Sequence, residues 1–373
     1  MTAAVSWRTL AFRLALSGRA DAACQQRVLR ELLEAGADCG PAQVVEALGE
    51  AAGPEAAGGD GMVRRGRARL AALDGWFLTI GDERYPPALR DAWPELGAPA
   101  WVFGCGDRAC LDGAVAVAVV GTRAPTLDGL RTARLVAGAL ARAGAVVVSG
   151  LARGIDQAAH RAALDADGRT VAVLGTGLGV DYPSRSAALR AGITERGALL
   201  TELPPGEGPR PWHFLARNRI ISGLAAATVV VEGGPTSGAL QTARLAAGQG
   251  RDVWAVPGSI NAPTSQAPLA LLRDGALPLT GVDVLLGSLG LTGGGGAGRA
   301  TGGDEAAGRS GPDPAADLSD GARAILRLLG AVPAATDSLI AASRLPAHTT
   351  MAAVAELIES GHAVATPRGV VRT

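Results

Sequence analysis

The stretch that decides the fold is residues 115–160, which read VAVAVVGTRAPTLDGLRTARLVAGALARAGAVVVSGLARGIDQAAH. Two short runs rich in valine, 115–120 and 145–149, each lead through a glycine-bearing turn into a segment with the periodicity of a helix. Strands that alternate with helices of this length are typical of parallel βαβ units. The stretch therefore predicts a parallel sheet with helices packed on its faces.

The same alternation continues towards the C-terminus. The predicted strands are 115–120, 145–149, 170–174, 198–201, 228–232 and 253–256. The predicted helices between them are 130–143, 156–164, 216–225 and 240–247. This order indicates the α/β class and, within it, a doubly wound parallel sheet.

Changes in composition divide the chain into four parts. Residues 1–75 carry short apolar periodicities broken by glycine and proline, which predict a small helical domain. The α/β part occupies 76–286 and opens with a proline-rich segment, 76–106, interpreted as an irregular connector. Residues 287–317 are rich in glycine and alanine and predict a flexible linker. Residues 318–373 predict three helices (318–329, 338–343 and 349–360) and a hairpin, which is the order of a winged helix.

Composition excludes several classes of protein. No uncharged apolar run reaches the roughly 18 residues that a membrane-spanning helix needs, so we expect a cytoplasmic protein without membrane insertion. The four cysteines form no CxxC pair or Cys/His cluster, which predicts no disulfide framework and no metal site. Acidic and basic residues balance at 35 each, and every basic residue is arginine. Any contact between a basic side chain and a phosphate therefore uses a guanidinium group.

Four predicted strands end in a glycine-bearing turn. These turns are residues 121–123, 149–154, 175–179 and 233–238. Because the carboxyl ends of parallel strands meet at one edge of a sheet, the main-chain N–H groups of the turns converge there. We expect one continuous groove that suits a linear polyanion. No GxGxxG or P-loop motif is present, so no nucleotide cofactor is predicted.

Charged residues add to this interpretation. Arg123 follows the first strand directly, where it can reach an anion held by the turn. Arg217 and Arg219 flank Asn218 in the predicted first turn of a helix, where a bound anion would offset their repulsion by the positive helix end. These positions favour anion binding.

Asp156 and His160 lie one helical turn apart and are interpreted as a helix-start acid and a buried, packing histidine. No serine or cysteine nucleophile motif has a histidine partner. The sequence therefore predicts no catalytic residues.

Several motifs taken together resemble the DprA/Smf family of DNA-processing proteins. They are DERYPPAL (82–89), VAVVGTR (117–123), VVSGLARGIDQAAH (147–160), VAVLGTGLGVDYP (171–183), HFLARNRIISGL (213–224), VVVEGGPTSGALQTARLA (229–246) and GRDVWAVPGSI (250–260). The first helical domain and the C-terminal winged helix are similar to the family's flanking domains, with weaker motifs.

The resemblance implies an extended Rossmann-like domain that binds single-stranded DNA, forms a homodimer, protects incoming strands during natural transformation and loads the RecA recombinase. It implies neither catalysis nor a cofactor. Its phosphate-binding motifs, together with the fourth glycine turn, place the predicted DNA-binding residues at Gly121, Thr122, Arg123, Ser149, Gly150, Gly154, Arg185, Arg217, Asn218, Arg219, Ser237 and Gly238.

The chain departs from the family pattern at three places. Leu215 replaces a proline of the usual FPxRNR motif, and Ser186 replaces an asparagine, with Arg185 as the nearby basic side chain. Residues 265–268 read SQAP where the family usually has Ser-x-Gly and a polar residue. The last departure predicts an altered end of the groove, and Arg185 is the predicted substitute contact at the second.

Two other hypotheses remain open. The loop 232–238 faintly resembles that of nucleotide phosphoribohydrolases, but Gln241 stands near the place of their glutamate and cannot transfer a proton at neutral pH. Alternatively the winged helix reads DNA, although it has only five arginines. Trp212 and Phe214 are the aromatic residues best placed to stack on bases, although packing is the commoner role of such a pair.

Overall fold

The computed structural model describes residues 60–92, 97–291, 318–328, 345–360, 363–366 and 369–372, with isolated positions 11, 15, 339, 340 and 343. The chain divides into two units, Met1–Ala297 and Gly298–Thr373. Most of the predicted N-terminal helical domain and residues 292–317 of the predicted linker lie outside the described residues.

A nine-stranded sheet forms the centre of the first unit. Its strands are β1 Gly75–Thr79, β2 Trp101–Gly106, β3 Ala116–Val120, β4 Val146–Ser149, β5 Thr170–Val173, β6 Ala198–Thr201, β7 Ala227–Val230, β8 Asp252–Ala255 and β9 Leu277–Pro278. They lie in the order β1-β2-β6-β5-β4-β3-β7-β8-β9. Every pair from β6 to β9 is parallel, which confirms the predicted doubly wound sheet.

Helices cover both faces of this sheet. They are α1 Asp60–Ala71, α2 Pro87–Asp91, α3 Leu127–Arg142, α4 Ile155–Asp165, α5 Ala187–Arg196, α6 Pro211–Leu224, α7 Gly238–Gly248, α8 Gln266–Arg273 and α9 Val282–Ser288. Along β3, Ala116, Ala118 and Val120 join one apolar cluster while Val117 and Val119 join the other. A strand buried on both faces explains the continuous apolar runs of the sequence.

The interpretation of 76–106 as an irregular connector is wrong. β1 pairs antiparallel with β2, and β2 pairs antiparallel with β6, so the sheet is mixed at this edge. The side chains of Trp101 and Phe103 are fully buried, and the Trp101 indole N–H donates to the carbonyl of Glu202 at 3.1 Å. Aromatic residues suit a pleated, buried surface, and this preference outweighed the flanking prolines.

The first unit also extends past the predicted boundary at residue 286. Helix α9 ends at Ser288, and its Leu285 is fully buried. Leu289 and Leu291 pack against the same cluster. Helices α2, α5, α8 and α9 were not predicted from the sequence.

The second unit contains α10 Asp320–Leu328, α11 Ala347–Glu359 and an antiparallel hairpin of β10 Ala363–Thr366 and β11 Gly369–Arg372. Buried residues of both helices, including Ile325 and Leu357, form a separate small core. The two outer predicted helices and the hairpin agree with this order. Of the middle one, 338–343, the structure describes residues 339, 340 and 343, which are helical.

Candidate nucleic-acid interface

The carboxyl ends of β3 and β7 form the topological switch point of the sheet. The chain leaves β3 towards β4 on one side and returns to β7 on the other. The N–H of Thr122 donates to the carbonyl of Glu232 at 2.8 Å. The Glu232 carboxylate accepts from the N–H and hydroxyl of Thr126, which caps α3, at 2.9 and 2.5 Å. Ligands of open α/β sheets bind in the crevice at such a point.

A cavity of about 800 Å³ opens at this switch point. Seven of the predicted DNA-binding residues line it: Gly121, Thr122, Arg123, Arg217, Asn218, Ser237 and Gly238. An adjoining cavity of about 30 Å³ adds Gly150, and its lining also includes Arg153, Gly175 and Thr176. The Thr176 hydroxyl is buried without a partner among the described residues. The structure therefore brings the glycine turns together at one edge, as the strand order predicted.

Four predicted residues do not line either cavity. Ser149 is buried, and its hydroxyl donates to the carbonyl of Val119 at 2.6 Å, which ties β4 to β3. Gly154 has a φ of +89°, and a Cβ there would lie 2.4 Å from the carbonyl oxygen of Thr122. Arg185 is exposed with a φ of +67° in the loop before α5. Arg219, the fourth, is described below.

Helix α6 begins at Pro211, five residues before its predicted start. Proline suits the first position of a helix because the first N–H groups have no partner inside the helix. The prediction that Arg217 and Arg219 occupy the first turn is therefore wrong. Since successive helical residues are about 100° apart, residues 217 and 219 point to opposite sides of α6.

Arg217 holds two strand ends in place. Its side chain is 5% exposed, and its Nη1 donates to the carbonyl of Gly150 at 2.7 Å and to the carbonyl of Val173. Its Nε donates to the side-chain oxygen of Asn218 at 3.3 Å. Burial lowers the pKa of Arg217 to about 10. A guanidinium with this pKa remains charged at neutral pH, so a positive charge lies beneath the cavity floor.

Asp156 lies on the opposite side of the same turn. Its carboxylate is buried and accepts from the N–H groups of Gly150 and Ala152 at 3.2 and 3.3 Å. Burial raises its pKa, while the charge of Arg217 and these hydrogen bonds act in the opposite direction. Asp156 therefore shapes the second glycine turn from within, which agrees with the interpretation of a helix-start acid.

His160 is a buried packing residue, as the sequence suggested. Its Nδ1 lies 2.7 Å from the hydroxyl of Thr170, which itself donates to the carbonyl of Val147 at 2.7 Å. Nδ1 is therefore the protonated nitrogen and donates to Thr170. Nε2 is buried without a partner among the described residues. Burial, and then the charges of Arg217 and Arg161, lower the pKa of His160 to about 3.

We expect this histidine to make stability fall as the pH drops below about 6.5. The unfolded chain binds a proton at His160 in this range and the folded chain does not, which favours unfolding. Between pH 6.5 and pH 5 the loss is roughly 2 kcal/mol, at about 1.4 kcal/mol per pH unit. Urea unfolding at pH 7.5 and pH 5 measures it in the wild type and in His160→Asn, whose amide can still donate to Thr170. An identical pH dependence in both proteins contradicts the prediction.

Arg219 points away from the cavity. Its Nη2 and Nη1 donate to the two carboxylate oxygens of Glu202 at 2.6 and 3.1 Å. The two side chains are only 13% and 10% exposed. This bidentate pair joins α6 to the segment after β6. The structure thus separates the two arginines of the motif, one beneath the cavity and one behind it.

Exposed cations and aromatic rings form the rim of the cavity. The Arg123 guanidinium lies 5.8 Å from the ring centre of Phe214, which packs against Tyr182 at 5.1 Å. Arg210 also lines the cavity and lies 5.5 Å from the ring centre of Trp212, which is 58% exposed and lies outside the lining of both cavities. Rings of this kind offer stacking surfaces for bases next to cations for phosphates. Sequence reasoning missed Arg210 and Tyr182, although the PRPW run 209–212 was a signal for the former.

The structure shows where the three departures from the family pattern lie. Leu215 lines the main cavity and is 50% exposed. Ser186 is buried, and its hydroxyl has no partner among the described residues. Ala267 donates its N–H to the carbonyl of Gly233 at 2.9 Å, so the SQAP segment packs behind the fourth glycine turn.

The described part of the chain shows no metal site, no membrane-spanning helix and no disulfide. Across residues 60–92 and 97–291 and the described segments of the second unit, no group of histidine, cysteine and acidic residues has the arrangement of a metal site. In the same residues, no helix has the length and apolarity needed to cross a bilayer. Cys105 and Cys110 are free thiols.

Comparison with known proteins agrees with this architecture. A family model described as DNA recombination-mediator protein A matches residues 76–290, and a DprA winged helix domain matches residues 309–357. The chain belongs to the DprA/Smf family. The second unit is accordingly a winged helix, which confirms that prediction.

Similar proteins support the family assignment. Protein Smf of Escherichia coli is 42% identical over 57% of this chain and 56% of its own length. DNA processing protein DprA of Bacillus subtilis is 40% identical over 53% of this chain and 66% of its own length. The chain thus matches somewhat more than half the length of these DprA/Smf relatives.

Two solved DprA structures are also similar. The X-ray structure of DNA processing protein A from Streptococcus pneumoniae has a TM-score of 0.66 and 33% identity, and covers 76% of this chain and 98% of that one. A Helicobacter pylori structure, described as giving insight into the single-stranded DNA binding mode of DNA processing protein A, has a TM-score of 0.53 and 28% identity. It covers 58% of this chain and 96% of that one.

Proposed function

We propose that the cavity at the switch point binds single-stranded DNA and that the protein acts by binding rather than by catalysis. The observation that carries this proposal is the convergence of seven predicted anion-binding residues on one open cavity. Arg123 and the amino end of α7 at Gly238 supply contacts for phosphates, and the ring of Phe214 supplies a surface for bases. Such contacts do not discriminate between sequences.

The resemblance extends the proposal to the whole protein. It supports a cytoplasmic homodimer that protects single strands and loads RecA onto them during transformation or recombination. Of the predicted contacts, we propose that Arg123, Ser237 and Gly238 face the strand directly. Ser149, Gly154, Arg217 and Arg219 support the turns that hold it, and Arg185 reaches it from the loop before α5.

Besides the loop 232–238, one structural observation favours the hydrolase alternative: the buried Asp156, whose pKa is raised by burial, is in the lining of the cavity. A general acid or base needs a free oxygen that faces substrate. Asp156 is only 6% exposed, and its Oδ2 accepts two main-chain hydrogen bonds from the second glycine turn, so we propose that it shapes this turn rather than transfers a proton. Release of free base from nucleoside monophosphates tests this alternative, and we expect none.

Fluorescence anisotropy of a labelled single strand of about 30 nucleotides, titrated at several salt concentrations, tests the binding proposal. We expect saturable binding that weakens steeply with salt and exceeds the binding of the matching duplex. A chain that ends at residue 297, where the first unit ends, is expected to retain this binding. If the chain that ends at residue 297 does not bind, the DNA site lies in the winged helix. If the full chain does not bind either, the proposal is overturned.

A further inference from the structure

A second basic surface lies on α1, outside the cavity. This helix has the sequence DGMVRRGRARLA, with four arginines and one acidic residue. Val63, Gly66 and Leu70 are buried, while Arg64, Arg65, Arg67 and Arg69 are all exposed. We call these four exposed side chains the α1 arginines. In a chain with no net charge, such a local excess of cations marks a surface for an anionic partner.

The α1 arginines have no neutralising partner within the described residues. No ion pair or hydrogen bond joins any of them to residues 60–92 or 97–291. Surface arginines are commonly paired with a nearby carboxylate, as Arg131 is with Asp128 at 3.5 Å on α3. Four guanidinium groups within six residues, all unpaired among the described residues, therefore concentrate positive charge on the exposed side of this helix.

This surface adjoins the rim of the DNA cavity. Arg65 and Arg69 line a separate cavity of about 210 Å³ with residues 204–207, and Arg69 passes close to Gly206. In that cavity wall, Glu207 pairs with Arg210 at 3.3 Å. Arg210 in turn lines the main cavity. One short segment, residues 204–210, thus links the two cavities.

The same segment is fixed to the carboxyl edge of the sheet. The N–H of Gly177 donates to the carbonyl of Glu207 at 2.8 Å, and the N–H of Gly206 donates to the carbonyl of Leu178 at 2.9 Å. Leu73, just after α1, lies within 3.3 Å of where a Cβ on Gly179 would be. The α1 arginines therefore lie beyond the third glycine turn, on the continuation of the edge that carries the first two.

We propose that a single strand leaving the main cavity continues past Arg210 and over α1, where Arg65 and Arg69 bind its phosphates. This inference rests on the proposed function and adds a second segment to its site. Residues four apart on a helix are about 6 Å apart along its axis and project to one side. Two guanidinium groups so placed can contact neighbouring phosphates of one strand, with Arg64 and Arg67 adding to the field.

The test compares strands of different length. Arg65→Gln/Arg69→Gln removes both charges and keeps most of each side-chain stem. The matched control is Arg134→Gln/Arg142→Gln, which removes two exposed arginines of α3 that line neither cavity. Anisotropy titrations use one oligonucleotide of about 8 nucleotides, which fills only the main cavity, and one of about 30 nucleotides.

We expect the α1 variant to weaken binding of the long strand about tenfold at low salt and to leave the short strand unchanged. The slope of log K against log salt for the long strand should fall by about 1.4, or 0.7 for each lost phosphate contact. The α3 control should match the wild type on both strands.

Four outcomes would overturn the inference. If the α1 variant bound the long strand as the wild type does, the α1 arginines would not contact DNA. An acidic protein surface would then be their partner instead. An equal loss on both strands, or an equal loss in the α3 control, would show a general effect of charge rather than a path over α1. If the wild type bound neither strand, the proposed function itself would fail and this inference with it.

Discussion

Replacing Arg123 with alanine is expected to raise the Kd for single-stranded DNA by tenfold to a hundredfold. The guanidinium is exposed at the cavity rim beside the Gly121–Thr122 turn and over the ring of Phe214. A hydrogen bond to a charged group contributes about 1.5–3 kcal/mol, and each 1.4 kcal/mol corresponds to tenfold in Kd. One lost phosphate contact should also lower the salt slope by about 0.7. Anisotropy titrations at several salt concentrations measure both quantities.

Two further variants serve as controls for Arg123→Ala. Arg123→Lys keeps the charge and loses the planar fork and the stacking on Phe214, so we expect an intermediate Kd with a salt slope like that of the wild type. Arg134→Ala removes an exposed arginine of α3 that lines neither cavity, and its Kd should not change. Wild-type affinity and slope in Arg123→Ala would place the DNA site elsewhere on the protein.

Replacing Arg217 with alanine is expected to lower the free energy of unfolding by about 3 kcal/mol or more and to weaken binding as well. The change leaves the carbonyls of Gly150 and Val173 without their donor. It also removes the positive charge that favours ionised Asp156. A buried polar group left without a partner costs about 1–3 kcal/mol, and more for a charged group. Urea unfolding followed by tryptophan fluorescence measures the stability, and anisotropy measures the affinity of the folded protein.

Arg219→Ala is the matched control, because it changes the same residue type two positions along the same helix. It breaks the buried pair with Glu202, so it should also cost about 3 kcal/mol or more of stability. The pair lies behind the cavity, however, and the folded Arg219→Ala protein should bind DNA with the affinity of the wild type. If Arg217→Ala were as stable as the wild type, its role in holding the two strand ends would be contradicted. If Arg219→Ala lost affinity in its folded form, Arg219 would be a DNA contact after all.

Much of the fold follows from local sequence patterns. The six predicted strands agree with β3 to β8 within a few residues at each end. Their short apolar runs are buried, and the helices between them have clear periodicity. The edge formed by β1 and β2 was not predicted because its prolines and aromatic residues lack a period of two. Its pairing with β6 joins segments about 100 residues apart, a relation that no local pattern contains.

The sequence by itself determined where the glycine turns fall and therefore which edge of the sheet carries the candidate site. The shared direction of parallel strands makes that edge follow from strand order alone. Only the tertiary structure decided what each arginine does there. Arg123 is exposed at the rim, Arg217 is bonded to carbonyls beneath the floor, and Arg219 is paired with Glu202. The three have the same chemistry in sequence. They differ because a guanidinium donates to the acceptors that lie near it in the folded chain. Those acceptors come from strands that are distant in the sequence.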